Sequence, residues 1–354
     1  MYQKTEKIDH VKALIGTDLP IIQAPMAGVQ DHRLCVAVSQ AGGLGSLPCG
    51  MLDIDTMVNE IRSIKAKTTR PYNLNFFCHD MPSYNVAKHT KWQQLLTPFF
   101  DELDIDKSTL PTSASRTPFD HNIADAIEPF SPTVISFHFG LPSPELVSRI
   151  KSWGSKILST ATTVQEAIWL ESNGADAIIV QGVEAGGHRG MFLSQDLSSQ
   201  MGLMALLPQV VAQVNIPVIA AGGIGDNLGV EAALLLGATA VQVGTAYLLC
   251  SETNTSQLHR EAIKTNSIQS NTAITNLFTG RPARGIINRV MKELSYINKT
   301  VPDFPYASIE MGQLRLKSEY KASSDFSPLW CGQNTLGCAE ISAQDLTLSL
   351  AGQR

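Results

Sequence analysis

The chain has 354 residues, of which 44% are hydrophobic and 17% are charged, with a formal net charge of −5 and a pI near 5.9. This composition is typical of a soluble globular protein, and the length suits one large α/β barrel with an added segment. The acidic balance provides no basic field for a phosphate backbone or an anionic lipid surface, so nucleic-acid and membrane partners are disfavoured.

Six cysteines are scattered along the chain without a Cys-x-x-Cys pair. This usage favours reduced thiols and gives no indication of a structural zinc site, so no metal is predicted. The first residues are polar, and no apolar run approaches the roughly 18 residues of a membrane span. These features predict a cytoplasmic protein.

Short apolar runs recur along the chain, most of them followed by a segment of helical period. Eight of these runs are recognisable, at residues 21–25, 44–48, 73–77, 134–139, 156–160, 177–181, 218–221 and 240–244. Runs that are apolar on both faces are typical of parallel strands covered by helices, and eight βα units indicate a closed barrel. The predicted fold is a TIM-type (β/α)8 barrel.

The remaining segments predict the domain organisation. Residues 1–246 should form the barrel, with the third connection, about 78–132, as a long loop that includes an exposed flap at 107–118. Residues 247–354 lack a further clear parallel strand and should form a mainly helical second domain over the barrel mouth, together with a C-terminal tail. Its predicted helices lie near residues 256–264 and 286–294.

Catalytic and binding groups in such barrels lie at the C-terminal ends of the strands. The candidates at these positions are Ala24, Pro25, Met26, Asn75, His138, Gln181, Gly186, Gly187, His188, Gly222, Gly223, Gly244 and Thr245. The last four follow the seventh and eighth strands, where barrel enzymes bind phosphate through backbone N–H groups. These glycines could instead belong to ordinary tight turns.

Asn75 and Gln181 are amides in otherwise apolar strands, and buried amides need hydrogen-bond partners. The edge of an isoalloxazine ring would supply alternating carbonyl and imide groups. Alternatively, the two amides could bond to the neighbouring barrel backbone.

Four blocks of the sequence resemble the flavin-dependent nitronate monooxygenases, in particular their first class. The blocks are residues 22–26, 73–77, 135–140 and 180–190, with a weaker echo at 330–333. The resemblance implies FMN at the barrel mouth, with its phosphate at Gly222, Gly223, Gly244 and Thr245. It also implies a flavin ring near residues 24–26 that touches Asn75 and Gln181, with Gly186 and Gly187 letting the backbone approach the cofactor.

In this family the histidine at the position of His188 faces the reactive edge of the flavin, and His138 would line the same pocket. A neutral imidazole can remove the acidic proton beside a nitro group, and a donor imidazole can orient a nitronate anion. The expected activity is therefore oxidation of alkyl nitronates, such as propionate 3-nitronate, with O2 in a detoxification role. The alternatives are an NAD(P)H-dependent reductase of quinones or enoyl thioesters, and a non-catalytic flavin-binding barrel.

Several other residues are candidates for the site. Cys49 and Cys78 follow strands but have no paired histidine, which favours core packing over nucleophilic catalysis. Arg281 and Arg284 could close over an anion, although surface ion pairs are slightly favoured, and Tyr306 is a candidate to reach the pocket. The histidines with no recognisable ligand pattern, predicted to be superficial or structural, are His10, His32, His79, His89, His121 and His259.

Overall fold

The computed structural model describes residues 11–110, 116–269 and 271–353. Two of the sequence predictions therefore lie outside the described residues, namely His10 and the part of the flap at 111–115. None of the described helices combines the length and the apolar character needed to cross a bilayer.

Eight parallel strands form the barrel. They are β1 (Ile21–Gln23), β2 (Gly45–Pro48), β3 (Tyr72–Phe77), β4 (Val134–His138), β5 (Lys156–Ala161), β6 (Ala177–Gln181), β8 (Val218–Ala221) and β9 (Ala240–Val243). Each strand pairs with its neighbours in one sheet, and a parallel bridge between Ile22 and Leu44 closes β1 against β2. The predicted TIM-type barrel is confirmed, because the apolar runs are buried on both faces as parallel strands require.

Helices alternate with these strands and continue beyond them. They are α1 (His32–Gln40), α2 (Ile54–Lys67), α3 (Val86–Glu102), α4 (His121–Ile127), α5 (Pro144–Ser152), α6 (Val164–Ser172), α7 (Leu203–Val211), α8 (Asn227–Leu235), α9 (Gln257–Gln269), α10 (Arg289–Glu293), α11 (Ser308–Tyr320) and α12 (Ala343–Leu350). Most begin at a residue whose side chain accepts a hydrogen bond from the first turn, as Asp53 does for α2 and Thr163 for α6.

The last helix of the chain packs on the barrel and not on the cap. Ala343, Leu346 and Leu350 of α12 are buried in the same apolar cluster as Leu34 of α1 and Val230 of α8. Because the chain passes from β9 into the cap, α12 takes the place of the barrel helix that would otherwise follow β9. The domain prediction, a mainly helical cap and a C-terminal tail over 247–354, did not anticipate that this helix packs on the barrel.

The segment 78–132, predicted as a long loop, contains α3 and α4. Trp92, Leu96 and Phe100 of α3 pack in one apolar cluster with Leu277 and Met311 from the C-terminal part of the chain. The apolar stripe of α3 needs this cover, and the third connection contributes five of the fifteen buried residues of the cap core.

The cap also contains a small antiparallel sheet. Its strands are β10 (Thr272–Thr275), β11 (Ala283–Ile286) and β7 (Gly187–His188), which lies in the loop after β6. The segment 286–294, predicted to be helical, therefore begins at the end of β11 and becomes helical only at Arg289. A tertiary pairing of β11 with a barrel loop outweighs the local helical period there.

Truncation of Leu346 tests whether α12 is part of the barrel. We expect Leu346→Ala to lower the free energy of unfolding by about 2–5 kcal/mol, because it leaves a cavity between α12 and the barrel helices. Chemical denaturation measures this change. Gln344→Ala, at an exposed position of the same helix, is the control and should change stability by less than about 0.5 kcal/mol. Equal small effects of both variants would show that α12 does not stabilise the barrel.

Candidate active site

A cavity of about 300 Å³ lies at the carboxyl ends of the barrel strands, bounded on its other side by the cap. All thirteen residues predicted at the strand ends line it: Ala24, Pro25, Met26, Asn75, His138, Gln181, Gly186, Gly187, His188, Gly222, Gly223, Gly244 and Thr245. The structure thus brings the whole predicted set together, and the function of each remains to be argued from its contacts.

A second cavity of about 450 Å³ lies on the outside of the barrel, between α7 and α8. Glu184 is its one acidic side chain, and both carboxylate oxygens accept from the N–H of Leu203, at 2.8 and 3.0 Å. The remaining lining is mainly apolar side chains and glycine. This outer cavity therefore presents no ionisable group that is free for catalysis among its described lining residues.

One end of the 300 Å³ cavity offers hydrogen-bond donors. The N–H groups of Gly222, Gly223 and Gly244 donate to no protein acceptor within the described ranges. Thr245 accepts from the N–H of Gly332 through Oγ1 at 2.9 Å, which leaves its own hydroxyl proton for another acceptor. Donors without internal partners suit the oxygens of a phosphate group.

The two predicted amides both bond to the protein. Asn75 donates through Nδ2 to Oγ and O of Ser136, at 3.0 and 3.2 Å. Gln181 donates to the carbonyl of His188 at 3.0 Å and accepts from the N–H of Gly190 at 2.9 Å. The alternative that Gln181 bonds to neighbouring backbone is therefore the one observed, and its contribution is to hold the loop after β6.

An amide that the sequence reasoning missed lies in the cavity floor. Gln242 of β9 lines the cavity, and its Oε1 is buried without a partner in the described part of the chain. Such an acceptor suits an imide N–H, so the residues present fit an isoalloxazine ring as well as a phosphate. The sequence contains a feature that identifies this residue, because Gln242 is a polar residue in an otherwise apolar strand, as Asn75 and Gln181 are.

Two adjacent glycines shape the loop after β6. A Cβ on Gly186 would lie 2.5 Å from the backbone of Cys331 and Gly332, so Gly186 permits a close crossing with the C-terminal segment. Gly186 also lines the cavity, and its predicted part in the approach to a cofactor stays a prediction. Gly187 has φ +74°, and no atom lies near the position of a Cβ, so this residue faces open space.

His188 is presented by the pairing of β7 with β11, where it lies opposite Ala283. Its Nε2 lies 2.8 Å from Oγ1 of Thr279, and its Nδ1 has no hydrogen-bond partner among the described residues. The ring is surrounded by aromatic rings at centroid distances of 5.6–6.3 Å, contributed by Phe77, Phe139, Phe304 and Trp330.

Burial lowers the pKa of His188 well below its usual value, and the nearby cations Arg116 and Arg281 add to this effect. Burial also lowers the pKa of His138 to about 4. Both rings are therefore neutral at pH 7. A neutral His188 can act as a hydrogen-bond donor or acceptor through Nδ1 without first losing a proton.

His138 has both of its ring nitrogens engaged. Nδ1 lies 3.1 Å from Oγ1 of Thr160, and Nε2 lies 3.2 Å from the carbonyl oxygen of His188. Because a neutral ring carries one proton, donation from Nε2 to that carbonyl places Nδ1 as acceptor for Thr160. This geometry makes His138 a positioning residue for the loop and not a direct partner of substrate.

The two arginines of the cap do not form the favoured surface ion pairs. Arg284 is buried and donates to the carbonyl of Val183 at 2.9 Å. The Arg281 guanidinium stacks on the ring of Phe139 at 4.1 Å and donates to the carbonyl of Met191 at 3.1 Å. No ion pair of either is found in the described ranges, so that expectation was wrong.

The tyrosine considered from the sequence lies away from His188. Tyr306 contacts Tyr84 and His89, at centroid distances of 5.4 and 6.0 Å. Phe304, two residues earlier, is the residue that reaches the His188 ring. Phe304 and Tyr306 are separated by one proline, and nothing in the sequence indicates which of the two rings reaches His188.

Three histidines expected to be superficial or structural are buried, namely His79, His89 and His259. His89 bonds to Glu310 at 2.9 Å across the cap. The two residues are far apart in the sequence, so no local pattern indicates this pairing. The thiols of Cys49 and Cys78 have a pKa raised by burial, which disfavours the reactive thiolate.

A possible ligand set for a metal occurs on the barrel surface, formed by Asp31, His32 and Glu60. Nδ1 of His32 already bonds to Glu60 at 3.0 Å, and Nε2 lies 2.9 Å from Nζ of Lys67. Because both ring nitrogens are engaged by neighbours, this cluster is better described as a surface ion-pair network.

The barrel and its mouth define the class: an oxidoreductase of the (β/α)8-barrel type with a site suited to a flavin. The family model described as nitronate monooxygenase matches residues 9–352. The chain is 36% identical to a nitronate monooxygenase of Pseudomonas aeruginosa, over 97% of this chain and 98% of that protein. With the nitronate monooxygenase of Paraburkholderia phytofirmans the identity is 37%, over 94% and 92%. The chain belongs to the nitronate monooxygenase family.

Solved structures show the same relationship. A nitroalkane oxidase from Streptomyces ansochromogenes superimposes with a TM-score of 0.85 at 35% identity, over 97% of each chain. FabK from Thermotoga maritima superimposes with a TM-score of 0.70 at 26% identity, over 96% of this chain and 94% of that one.

The buried His259 predicts a pH-dependent stability. Burial lowers its pKa to about 4, whereas an unfolded histidine titrates near 6.5. Between these values only the unfolded state binds the proton, so this contribution to stability is present above pH 6.5 and is lost as the pH falls towards 4. We expect His259→Asn to reduce the loss of unfolding free energy between pH 7 and pH 5 by about 1–2 kcal/mol.

Urea denaturation at the two pH values measures this difference. His121→Asn, at an exposed position, is the control and should match the wild type at both pH values. A His259→Asn variant with the wild-type pH dependence would show that the folded state already accepts this proton.

Proposed function

We propose that the chain is an FMN-dependent nitronate monooxygenase that oxidises alkyl nitronates with molecular oxygen. Its role would be the detoxification of nitronates in the cytoplasm. The observation that carries the proposal is the environment of His188. Burial lowers its pKa so that this histidine is neutral, its Nδ1 lacks a protein partner in the described ranges, and the charged side chains that add to the shift, Arg116 and Arg281, are cations.

The cavity suits FMN at both ends. Its phosphate would accept from Gly222, Gly223 and Gly244, and its ring would lie against residues 24–26 with Gln242 beneath. When bound, the flavin would supply the redox chemistry, by accepting an electron from the nitronate and reacting with oxygen. The chain itself binds and orients the substrate.

Thr279 holds Nε2 of His188, with 2.8 Å between Nε2 and the hydroxyl oxygen Oγ1. When this hydroxyl donates to Nε2, the ring proton lies on Nδ1, which can donate to a nitronate oxygen. When the hydroxyl accepts from Nε2–H, Nδ1 is free to remove a proton. A nitronate is already deprotonated and needs no base, so the first tautomer suits the proposed substrate and the second suits a neutral nitroalkane.

The surroundings of His188 strengthen such a hydrogen bond. The rings of Phe77, Phe139, Phe304 and Trp330 exclude water, and electrostatic interactions are stronger in a medium of low polarity. The nearby Arg281 guanidinium favours an anion over a neutral nitroalkane. Both effects support a nitronate as substrate.

A reductase that uses NAD(P)H is the second candidate. The structural likeness to FabK favours it, since that protein shares this fold at 26% identity. Quinones or enoyl thioesters would then be the substrates. The likeness to the nitroalkane oxidase is greater in both TM-score and identity, so the monooxygenase remains the first candidate.

Oxygen uptake distinguishes the two candidates. We expect the purified protein to show the visible spectrum of FMN and to consume oxygen rapidly with propionate 3-nitronate in air. With NADH or NADPH, oxygen uptake and flavin bleaching should be slow. Reduction by a nicotinamide nucleotide without a response to the nitronate would favour the reductase, and a colourless protein that takes up no FMN would contradict the cofactor assignment.

Replacement of His188 separates its binding role from a role as base. His188→Asn keeps a donor group but cannot accept a proton, so FMN content and nitronate turnover should stay within about tenfold of the wild type. Turnover of the corresponding neutral nitroalkane should fall to background. Steady-state oxygen uptake with both substrates measures this, and equal loss with both would contradict the proposal that a nitronate needs no base here.

A further inference from the structure

Arg116 is a cation without a counterion in the cavity. It lines the cavity from the part of the third connection that precedes α4, and its guanidinium carbon lies 6.0 Å from the ring centroid of Phe304. Its side chain forms no ion pair or hydrogen bond within the described ranges. Burial, together with the charge of Arg315, lowers the pKa of Arg116 to about 10, so the side chain is still charged at pH 7.

Arg315 of α11 lines the same cavity but has a partner. Its Nε bonds to Oε1 of Glu319 at 2.8 Å, and Ser327 donates to the same oxygen at 2.7 Å. Glu319 is the only acidic residue among those that line the cavity in the described structure. The lining therefore holds two guanidinium groups and one carboxylate, which pairs with Arg315, so the positive charge of Arg116 remains for a ligand.

This positive charge lies on the cap side of His188. Phe304 contacts both groups, with its centroid 5.6 Å from the His188 ring and 6.0 Å from the Arg116 guanidinium. Because one phenyl ring contacts both groups, a small molecule in this part of the cavity can present one anionic group to His188 and another to Arg116. Arginine is well suited to a carboxylate at the far end, because its planar fork matches the two oxygens.

We propose that Arg116, assisted by Arg315, forms a second anion subsite that binds a carboxylate at the end of the substrate opposite the nitronate. The inference rests on the proposed function and adds a specificity residue to it. Recognition by Arg116 makes the preferred substrate a nitronate with two negative charges. Since the carboxylate takes no part in the reaction, its contact contributes mainly to substrate binding and appears in KM.

Two nitronates of equal chain length test the subsite. Propionate 3-nitronate has the carboxylate, and propyl 1-nitronate lacks it. For Arg116→Gln we expect KM for propionate 3-nitronate to rise by about 10- to 100-fold with little change in kcat, because a hydrogen bond to a charged group is lost. KM for propyl 1-nitronate should change by less than about threefold.

Three further variants refine the test. Arg116→Lys keeps the charge and should give an intermediate KM. Arg315→Gln should have a smaller effect than Arg116→Gln, because Glu319 already balances Arg315. Arg149→Gln, on α5 at the barrel surface and paired there with Asp125 and Glu128, is the matched control and should leave both KM values unchanged.

A binding measurement tests the subsite independently of turnover. Calorimetric titration of the FMN-loaded protein with glutarate, an unreactive dicarboxylate, should show binding by the wild type and by Arg149→Gln but much weaker binding by Arg116→Gln. If the wild type oxidises neither nitronate, the proposed function fails, while this loss of glutarate binding would still support the subsite.

Three outcomes would overturn the proposal. Arg116→Gln could raise KM equally for both nitronates, which would place its contact at the nitronate group. It could change neither KM nor glutarate binding. Or it could weaken only the use of NADPH relative to NADH, which would assign the subsite to a nucleotide phosphate.

Discussion

The pairing of β7 with β11 is the contact on which the rest of the active site depends. It joins the loop after β6 to the cap and places His188 opposite Ala283. The same contact brings Thr279, Phe304 and Trp330 around the imidazole, although these residues lie far along the chain. Without this pairing, the loop after β6 would be an ordinary barrel connection with its histidine exposed to solvent.

The loop after β6 is held by hydrogen bonds within the protein. Arg189, which is fully buried, donates to the carbonyls of Gln181 and Gly182 and to Oε1 of Gln200. Gln181 and His138 both donate to the carbonyl of His188. These bonds satisfy buried polar groups and fix the path of the loop beside the cavity.

The barrel and the cap are interdependent through the path of the chain. The third connection contributes Trp92 and Phe100 to the cap core, and the chain returns from the cap to place α12 against α1 and α8. The barrel core therefore includes a helix that follows the cap in the chain, and the cap core includes a helix from a connection between two barrel strands. The cavity lies where the two units meet, so its lining is fixed by both cores.

The sequence by itself determined the barrel and most of the barrel side of the site. Strands that are buried on both faces leave continuous apolar runs, and the strand ends then identify the residues at the mouth, including His188 and the glycines that follow β8 and β9. Gln242 could have been found by the same reasoning that found Asn75. These inferences succeed because they depend on local periodicity and on one rule of barrel geometry.

The tertiary structure alone decided which residues complete the site from the cap. Thr279, Phe304 and Arg116 come from segments whose local pattern does not record which distant group they meet. A helical period shows that α12 has an apolar face, but it does not show whether that face covers the barrel or the cap. The bonding of Gln181 to the loop, and the absence of a counterion for Arg116 in the described structure, depend on long-range packing, which leaves no periodic signal in a single sequence.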